Sequence, residues 1–209
     1  MSTTQTGRRL VAQSVALALA LVAAPAQAQV MTFDANACSG SGFVGSAGSF
    51  VEDGYSLSFT GSGWAAWCSS AGGYAGSPAI FENSPGGTIS LTQVGGGAFS
   101  IFSIDLATVY LGGSAGSAAF TGYINGGGTV QTTFNYLAAA GNPAFNTFYF
   151  GAGWDNLLSV EWTQDDPYHQ FDNVAFGAPS EVVPEPATMT LLATGLAGMA
   201  AARRKKRKV

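Results

Sequence analysis

The chain offers few residues that could carry out catalysis. Its single histidine, His169, lies in the segment DDPYHQ and has no serine or cysteine motif that a general base could activate. Asp165 and Asp166 are adjacent, so in a strand they would point to opposite faces, whereas a glycosidase needs two facing carboxyl groups about 5 to 9 Å apart. We predict that His169 is a turn residue beside Pro167, that the two aspartates are solvated, and that the protein is not an enzyme.

Cys38 and Cys68 are the only cysteines of the chain. In an exported protein they would enter an oxidising compartment, where a disulfide bond persists. The bond would contribute about 3 to 4 kcal/mol in the chain-entropy description of loop closure. The alternative is a pair of free or metal-binding thiols, although two cysteines and one histidine do not make a zinc site in this arrangement. We predict the disulfide.

Several aromatic residues lie in Gly-rich segments and are predicted to lie outside clean strands. They are Trp64, Trp67, Tyr74 and Trp154. Rings in such positions can stack against the sugar rings of a ligand, which is the basis of a carbohydrate-binding hypothesis. The alternative is that they form small satellite cores beneath the loops.

One carboxylate is predicted to face the interior. Asp172 lies in the pattern FDNVAF, in which strict alternation places it on the same face as Val174 and Phe176. A carboxylate on a core-facing side must be hydrogen-bonded or bound to a metal ion. Asp172 therefore either caps backbone amides at the start of a strand or belongs to a metal site.

The elements that must position these side chains are predicted to be β-strands. Apolar and polar residues alternate over 55–59, 129–136 and 158–162, and a period of two is typical of half-buried strands. Glycine accounts for 29 of the 209 residues and separates apolar runs where turns are needed. Recurring aromatic and branched residues argue against a disordered linker. We predict one all-β domain over residues 29–180, an antiparallel, jelly-roll-like β-sandwich.

Eight to ten strands are predicted in this domain. The candidate strands are residues 30–35, 55–60, 88–94, 98–111, 117–125, 129–137, 145–150, 157–162 and 170–177. The glycines at 95–97 and the Asn-Gly-Gly-Gly run at 125–128 are predicted as hairpin turns. In AFSIFSIDL the alternation slips between Ile101 and Phe102, which predicts a β-bulge or a bend.

Basic residues are confined to the two ends of the chain. All eight Lys and Arg lie at positions 8–9 and 203–208. The body is therefore acidic throughout, and such a surface repels nucleic acid, anionic membranes and phosphorylated ligands. We predict that the protein does not bind nucleic acid.

The first 28 residues have the features of a secretory signal peptide. Arg8 and Arg9 precede an apolar stretch over 15–24, and Ala26 and Ala28 are small residues at the positions that signal peptidase inspects. We predict a signal helix that is removed by cleavage between Ala28 and Gln29. The paired arginines also fit twin-arginine export, but they are the ordinary basic flank of a signal peptide.

The C-terminal end combines an apolar run with a basic cluster. Residues 187–202 carry no charge, and six basic residues follow directly. A helix of that length covers about 24 Å and can span a bilayer if the flanking side chains extend to the interface. Basic residues stay on the cytoplasmic side, so the body would lie outside. A nuclear or nucleic-acid-binding tail is the alternative, and the signal peptide argues against it.

The tripeptide Pro184-Glu185-Pro186 precedes the apolar run. The tripeptide, the short apolar helix and the basic cluster, in this order over residues 181–209, resemble the PEP-CTERM sorting signal of exported bacterial proteins. The resemblance implies that an exosortase, an integral-membrane sorting protease, recognises the motif and cleaves near it. The flanking prolines favour an extended conformation that a protease cleft can bind. The chain would be a membrane-anchored precursor that is processed and delivered to the cell surface or released.

The body shows a second resemblance, over residues 98–177, in its strand rhythm and closing FDNV pattern. It resembles the jelly-roll bodies common among PEP-CTERM proteins, which are similar to galactose-binding-type and carbohydrate-binding modules. In such modules a structural calcium ion often joins the first strand to the last. The resemblance implies a calcium site at Asp34 and Asp172, with backbone carbonyls supplying most of the other oxygen ligands.

Two functional hypotheses follow from these observations. The first is an exported surface or extracellular-matrix protein with a non-catalytic body that associates with exopolysaccharide. The second is a calcium-dependent carbohydrate-binding module, which three or more aromatic residues lining one concave, solvent-open face would favour. The expected partners are an exosortase, the membrane before processing, and a polysaccharide.

Overall fold

The computed structural model describes residues 29–177, which form thirteen β-strands and a short 3-10 turn at Asp34–Asn36. The strands are β1 (Gln29–Met31), β2 (Phe43–Ser46), β3 (Phe50–Glu52), β4 (Tyr55–Phe59), β5 (Trp64–Trp67), β6 (Phe81–Glu82), β7 (Thr88–Gln93), β8 (Ile101–Thr108), β9 (Gly116–Ile124), β10 (Thr129–Tyr136), β11 (Asn146–Tyr149), β12 (Leu157–Thr163) and β13 (His169–Phe176). No helix within this range is long and apolar enough to cross a membrane. The predicted signal helix and membrane helix lie outside the described residues.

Two antiparallel sheets form a sandwich. The six-stranded sheet has the order β10-β9-β12-β7-β4-β3, and the four-stranded sheet has the order β1-β13-β8-β11. Their inner faces supply one hydrophobic core. Across it, the ring of Tyr55 stacks on Phe176 with centroids 3.4 Å apart, and Trp162 contacts Phe171 edge-on at 5.1 Å. The prediction of an all-β antiparallel sandwich is confirmed for the described residues.

A third, three-stranded sheet with the order β2-β5-β6 was not predicted. Its strands are only two to four residues long, and β5 has no alternation because Ala65 and Ala66 are both fully buried. The disulfide between Cys38 and Cys68 is present, as predicted, and Cys68 directly follows β5. The bond ties the chain ahead of β2 to the end of β5.

The predicted alternation holds in β10 but not throughout β12. In β10, Val130, Thr132 and Phe134 are half-buried while their neighbours are exposed. In β12, Leu158 was predicted to face the core, but it is 44% exposed and Leu157 is buried instead. The reason is a register shift between Leu157 and Ser159 against β9, which changes the face that each side chain takes.

Of the two predicted hairpin turns, one is confirmed. Residues 125–128 join β9 to β10, which pair along their whole length. Residues 95–97 instead connect β7, in the six-stranded sheet, to β8, in the four-stranded sheet, so the hairpin prediction there was wrong. The predicted bulge is confirmed: β13 pairs with β8 at Ser103 and then at Ile101, so Phe102 is an additional residue in the ladder.

Candidate functional site

Four aromatic side chains lie next to one another at the surface. Phe43, Trp67, Tyr110 and Tyr168 form what we call the aromatic row. Trp67 meets Phe43 edge-on at 5.8 Å and Tyr110 at 6.3 Å between ring centroids, and Tyr110 lies 6.1 Å from Tyr168. These separations fall within the range of interacting aromatic pairs. The row is therefore one continuous set of rings.

Separate parts of the chain bring the four rings together. Phe43 in β2 and Trp67 in β5 are direct cross-strand partners in the small sheet. Tyr110 follows the end of β8, and Tyr168 precedes the start of β13. The backbone N–H of Val109 donates to the carbonyl of Tyr168 at 3.1 Å and so holds these two segments side by side. The disulfide at Cys68, next to Trp67, secures the sheet that supports the row.

The row is supported from below and open above. Trp67 stacks at 5.7 Å on Phe81, which is buried in a small cluster with Ala65 and Val109. Phe43 and Tyr110 are 55% and 52% exposed, and Trp67 and Tyr168 are half-buried. A buried underside holds the rings in place while their outer surface remains available to a ligand.

The backbone at Gly73 approaches Trp67 more closely than any other residue type would allow. A Cβ atom added there would lie 2.3 Å from the indole Nε1 and 2.3 Å from the carbonyl oxygen of Val109. Contacts this short do not occur, so the tryptophan position depends on glycine. The indole N–H of Trp67 is buried and has no hydrogen-bond partner among residues 29–177.

The electrostatic surroundings of the row are negative. The range 29–177 contains no Lys or Arg. The pKa of Tyr168 is raised, first by burial and then by interaction with Tyr110, Asp166 and Glu82. Ligand groups that carry negative charge would be repelled here, whereas neutral groups would not.

Of the four aromatic residues predicted for ligand binding, Trp67 lies in the row. Trp64 and Trp67 belong to strand β5, which corrects the prediction that they lie outside strands. Trp64 is half-buried and packs on Phe50 at 5.5 Å. Tyr74 is half-buried in the loop after β5. Trp154 is only 4% exposed and packs on Phe150 at 4.6 Å.

Trp154 also lines a cleft of about 510 Å³ at another part of the sandwich. The cleft lies between the start of β8, the loop 150–155 and Gly177. Its walls are mainly backbone and apolar side chains, with the carboxylate of Asp155 as a charged group.

Sequence reasoning missed Phe43, Tyr110 and Tyr168. Phe43 lies in a segment rich in glycine and serine, Tyr168 directly follows Pro167, and Tyr110 lies near the end of the strand candidate 98–111. A large ring at the end of a predicted strand, or just outside it, is the signal that could have identified Tyr110 and Tyr168. Their mutual proximity depends on strand pairing and is not visible in the sequence.

Asp172 does not face the core with Val174, contrary to the prediction. Phe171 occupies the core, Asn173 has a left-handed φ of 48°, and the register against β8 shifts after Asp172. The bulge restores Val174 to the core and leaves Asp172 on the opposite face, where it is 1% exposed beneath the segment that contains Ser77. The Ser77 hydroxyl and, at 2.7 Å, the Asn173 N–H donate to its carboxylate.

Asp34, the second predicted calcium ligand, is exposed in the 3-10 turn after β1. Its charge contributes to the pKa of Asp172, which burial raises to about 7, with smaller upward contributions from Asp105 and Asp34. In the described range no three His, Cys, Asp or Glu side chains converge as metal ligands usually do. Calcium binding at Asp34 and Asp172 therefore stays a prediction.

His169 was predicted to be a turn residue, and this prediction was wrong. It is the first residue of β13 and is fully buried. Its ring lies 5.7 Å from that of Tyr136. Neither ring nitrogen has a hydrogen-bond partner within the described part of the chain, and burial lowers the pKa to about 4. Asp165 and Asp166 are exposed, as predicted. The buried, neutral imidazole and the two exposed carboxylates therefore lie in different environments.

Pro184, Glu185 and Pro186 lie outside the described residues, as does Ala28 on the N-terminal side of the predicted signal cleavage. Gln29, on its other side, is the first residue of β1. Gln29 pairs with Phe176 near the end of β13. The described body therefore begins and ends at neighbouring positions of one sheet.

Several known structures similar to this chain are carbohydrate-binding modules. A variant of a family 29 module in complex with mannohexaose is 11% identical, covers 71% of this chain and 89% of its own, and has a TM-score of 0.41. Another family 29 module is 12% identical, with coverage of 78% and 97% and a TM-score of 0.39. A family 11 module from Clostridium thermocellum, in complex with a β-1,3-1,4-mixed-linked tetrasaccharide, is 13% identical, with coverage of 66% and 96% and a TM-score of 0.28.

No curated protein sequence is detectably similar to this chain. Residues 182–206 match the family of PEP-CTERM protein-sorting motifs. This range contains the Pro-Glu-Pro tripeptide, the whole uncharged run and the first basic residues. The chain therefore ends in a PEP-CTERM protein-sorting motif, the identification that its C-terminal sequence pattern predicts.

Proposed function

We propose that this chain is an exosortase substrate whose non-catalytic body binds a neutral polysaccharide through the aromatic row. The PEP-CTERM motif indicates export and sorting to the cell surface through a membrane-anchored precursor. The single observation that carries the binding proposal is the row itself, four adjacent rings with a buried underside and an open outer surface.

The chemistry of the row suits sugars. The C–H face of a pyranose is apolar and the hydroxyl groups at its rim are polar, so it can cover an aromatic ring while its hydroxyl groups stay hydrated. Tyr110 and Tyr168 add phenolic groups that can donate or accept hydrogen bonds at the edge of the ring. Several rings in a row can bind successive sugars of one polymer, which favours a polysaccharide over a single sugar.

The charge of the body favours an uncharged polymer. With no Lys or Arg from Gln29 to Gly177, the body has no basic side chain to neutralise uronate, sulfate or phosphate groups. The negative charges of Asp166 and Glu82 already raise the pKa of Tyr168. Removing water from an anionic sugar next to these carboxylates would be unfavourable.

The test is binding to galactomannan, xylan, mixed-linkage β-glucan and alginate by affinity electrophoresis, after a glycan array has identified preferred sugars. We expect retardation by at least one neutral polymer and none by alginate. Phe43→Ala and Tyr110→Ala should each weaken binding roughly fivefold, since one aromatic contact contributes about 1 kcal/mol. Tyr149→Ala is the matched control because Tyr149 is 63% exposed but lies in β11, outside the row. Equal losses in all three variants would refute the assignment of the site.

The alternative function is calcium-dependent carbohydrate binding, in which Asp34 and Asp172 hold the ion. The observation that favours it is the interaction of these two carboxylates, because a bound cation would relieve their repulsion. Repeating the electrophoresis with calcium chloride and with a chelator distinguishes the two proposals. Binding that disappears with the chelator, and is restored by calcium, would support the alternative.

A further inference from the structure

The aromatic row and the exit of the C-terminal tail lie at opposite ends of one strand pair. β8 and β13 each contain eight residues and run antiparallel. At one end Thr108 pairs with His169, and at the other Ile101 pairs with Phe176. A strand of this length extends over about 23 Å. The two ends of the pair are therefore well separated on the body.

The first end carries part of the row. Tyr168 directly precedes His169, and Tyr110 lies two residues beyond Thr108. The hydrogen bond from Val109 to Tyr168 continues the ladder as far as these rings. Trp67 and Phe43 extend the row from there.

The second end carries both connections of the body to the chain termini. Gly177, after β13, donates its N–H to the carbonyl of Ser100 at 2.9 Å. Gln29 pairs with Phe176 beside it. The cleft lined by Asp155 is at this same end, because Ser100 and Gly177 are among its walls.

We propose that the anchored precursor turns its aromatic row away from the bilayer and holds a polysaccharide at the membrane until the tail is cut. The proposal rests on the proposed function for the identity of the polymer. The ten residue steps from Gly177 to Ala187, where the apolar run begins, can extend over at most about 35 Å. The connection attaches the body to the apolar run through its Gly177 end, and the row lies about 23 Å farther along the strand pair from this point of attachment.

The order of events follows from this arrangement. The row is accessible to polymer before processing, so polymer capture does not depend on cleavage of the tail. Hydrolysis of one peptide bond near the sorting motif consumes one water, leaving a carboxylate on the body and an amine on the membrane fragment. The body then leaves with the polymer still bound, because the broken bond is remote from the row.

The test measures the orientation without any sugar. The precursor with its tail intact is placed in phosphatidylcholine vesicles that contain lipids with nitroxide headgroups. Leu111→Cys, beside the row, and Asp155→Cys, in the cleft, each introduce one thiol for a fluorophore, because Cys38 and Cys68 are bonded to each other. We expect the nitroxide to quench the probe at position 155 several-fold more strongly than the probe at position 111.

A second measurement addresses access by a polymer. A large maleimide-polyethylene glycol should react with the thiol at position 111 equally fast in vesicles and in detergent, and several-fold more slowly in vesicles at position 155. Equal quenching of both probes, equal slowing at both thiols, or a precursor that does not associate with vesicles would overturn the proposal. Because neither readout uses a glycan, a negative glycan array would count against the proposed function and leave this result standing.

Discussion

Asp172 in β13 lies directly opposite Asp105 in β8. Asn173 links the two carboxylates: its side-chain amide donates to Asp105 at 2.9 Å, and its backbone N–H donates to Asp172. Burial, with smaller contributions from the charges of Asp105 and Asp34, raises the pKa of Asp172 from 3.8 to about 7. The folded protein therefore favours the protonated acid. The contribution of protonated Asp172 to the stability of the fold is complete below about pH 4 and is lost as the pH rises to about 7.

Asp172→Asn should consequently be more stable than the unchanged protein at pH 8, by up to a few kcal/mol. The amide can replace the neutral acid as a partner of Ser77 and Asn173. At pH 4 the two proteins should have similar free energies of unfolding. Urea unfolding at both pH values provides the measurement, with the exposed Asp155→Asn as control. A variant that is destabilised at pH 8 would show that the charged form of Asp172 is needed.

His169 should produce the opposite pH dependence. Burial lowers its pKa from 6.5 to about 4, so protons bind preferentially to the unfolded chain between these values. The stabilising contribution of the neutral imidazole is complete above about pH 6.5 and falls by about 3 kcal/mol as the pH decreases to 4.

The contributions of His169 and Asp172 should nearly cancel between about pH 4 and 6.5. His169→Gln should therefore lose stability as the pH rises through this range, and Asp172→Asn should gain it. The free energy of unfolding at half-unit pH intervals tests both slopes. Parallel curves for the two variants would contradict this assignment.

Gly73→Ala should displace Trp67 and weaken glycan binding. The new Cβ would overlap both the indole Nε1 and the carbonyl of Val109, and a backbone atom cannot move aside easily. We expect destabilisation of about 1 to 3 kcal/mol together with reduced binding. Gly72→Ala is a matched control, because its Cβ would meet only Leu111, at 3.4 Å. Thermal unfolding and affinity electrophoresis of both variants test this prediction. Equal stability and equal binding of the two variants would contradict the role of close packing at residue 73.

Changes in the sorting segment should separate recognition from anchoring. Glu185→Ala removes the one charge of the Pro-Glu-Pro tripeptide, so an uncut, membrane-bound precursor should accumulate. Neutral residues at 203–208 should instead weaken retention, since basic clusters next to an apolar segment are held on the cytoplasmic side of the membrane. Mass spectrometry of surface material in the native host checks processing. If peptides through 187–209 dominate there, the tail is a permanent anchor.

Features that depend on neighbouring residues could be predicted well. The alternation in β10, the hairpin at 125–128 and the slip at Phe102 were all visible as local periodicity, and the structure confirms them. The small sheet was missed because β5 is covered on both sides: Trp64 packs on Phe50, and Trp67 packs on Phe81. A strand buried in this way has no period of two to detect.

The sequence by itself determined the sorting motif, the absence of basic residues from the body, nine of the thirteen strand regions and the pair of cysteines available for a disulfide. These are matters of composition, order and short-range periodicity. Only the tertiary structure decided that Phe43, Trp67, Tyr110 and Tyr168 share a surface, and that Tyr110 and Tyr168 lie at the end of the β8–β13 pair opposite Gln29 and Phe176. It also decided that Asp172 faces Asp105 and not the core. The physical reason is that strand register, and the bulge at Asn173 that shifts it, are set by contacts between residues far apart in the chain.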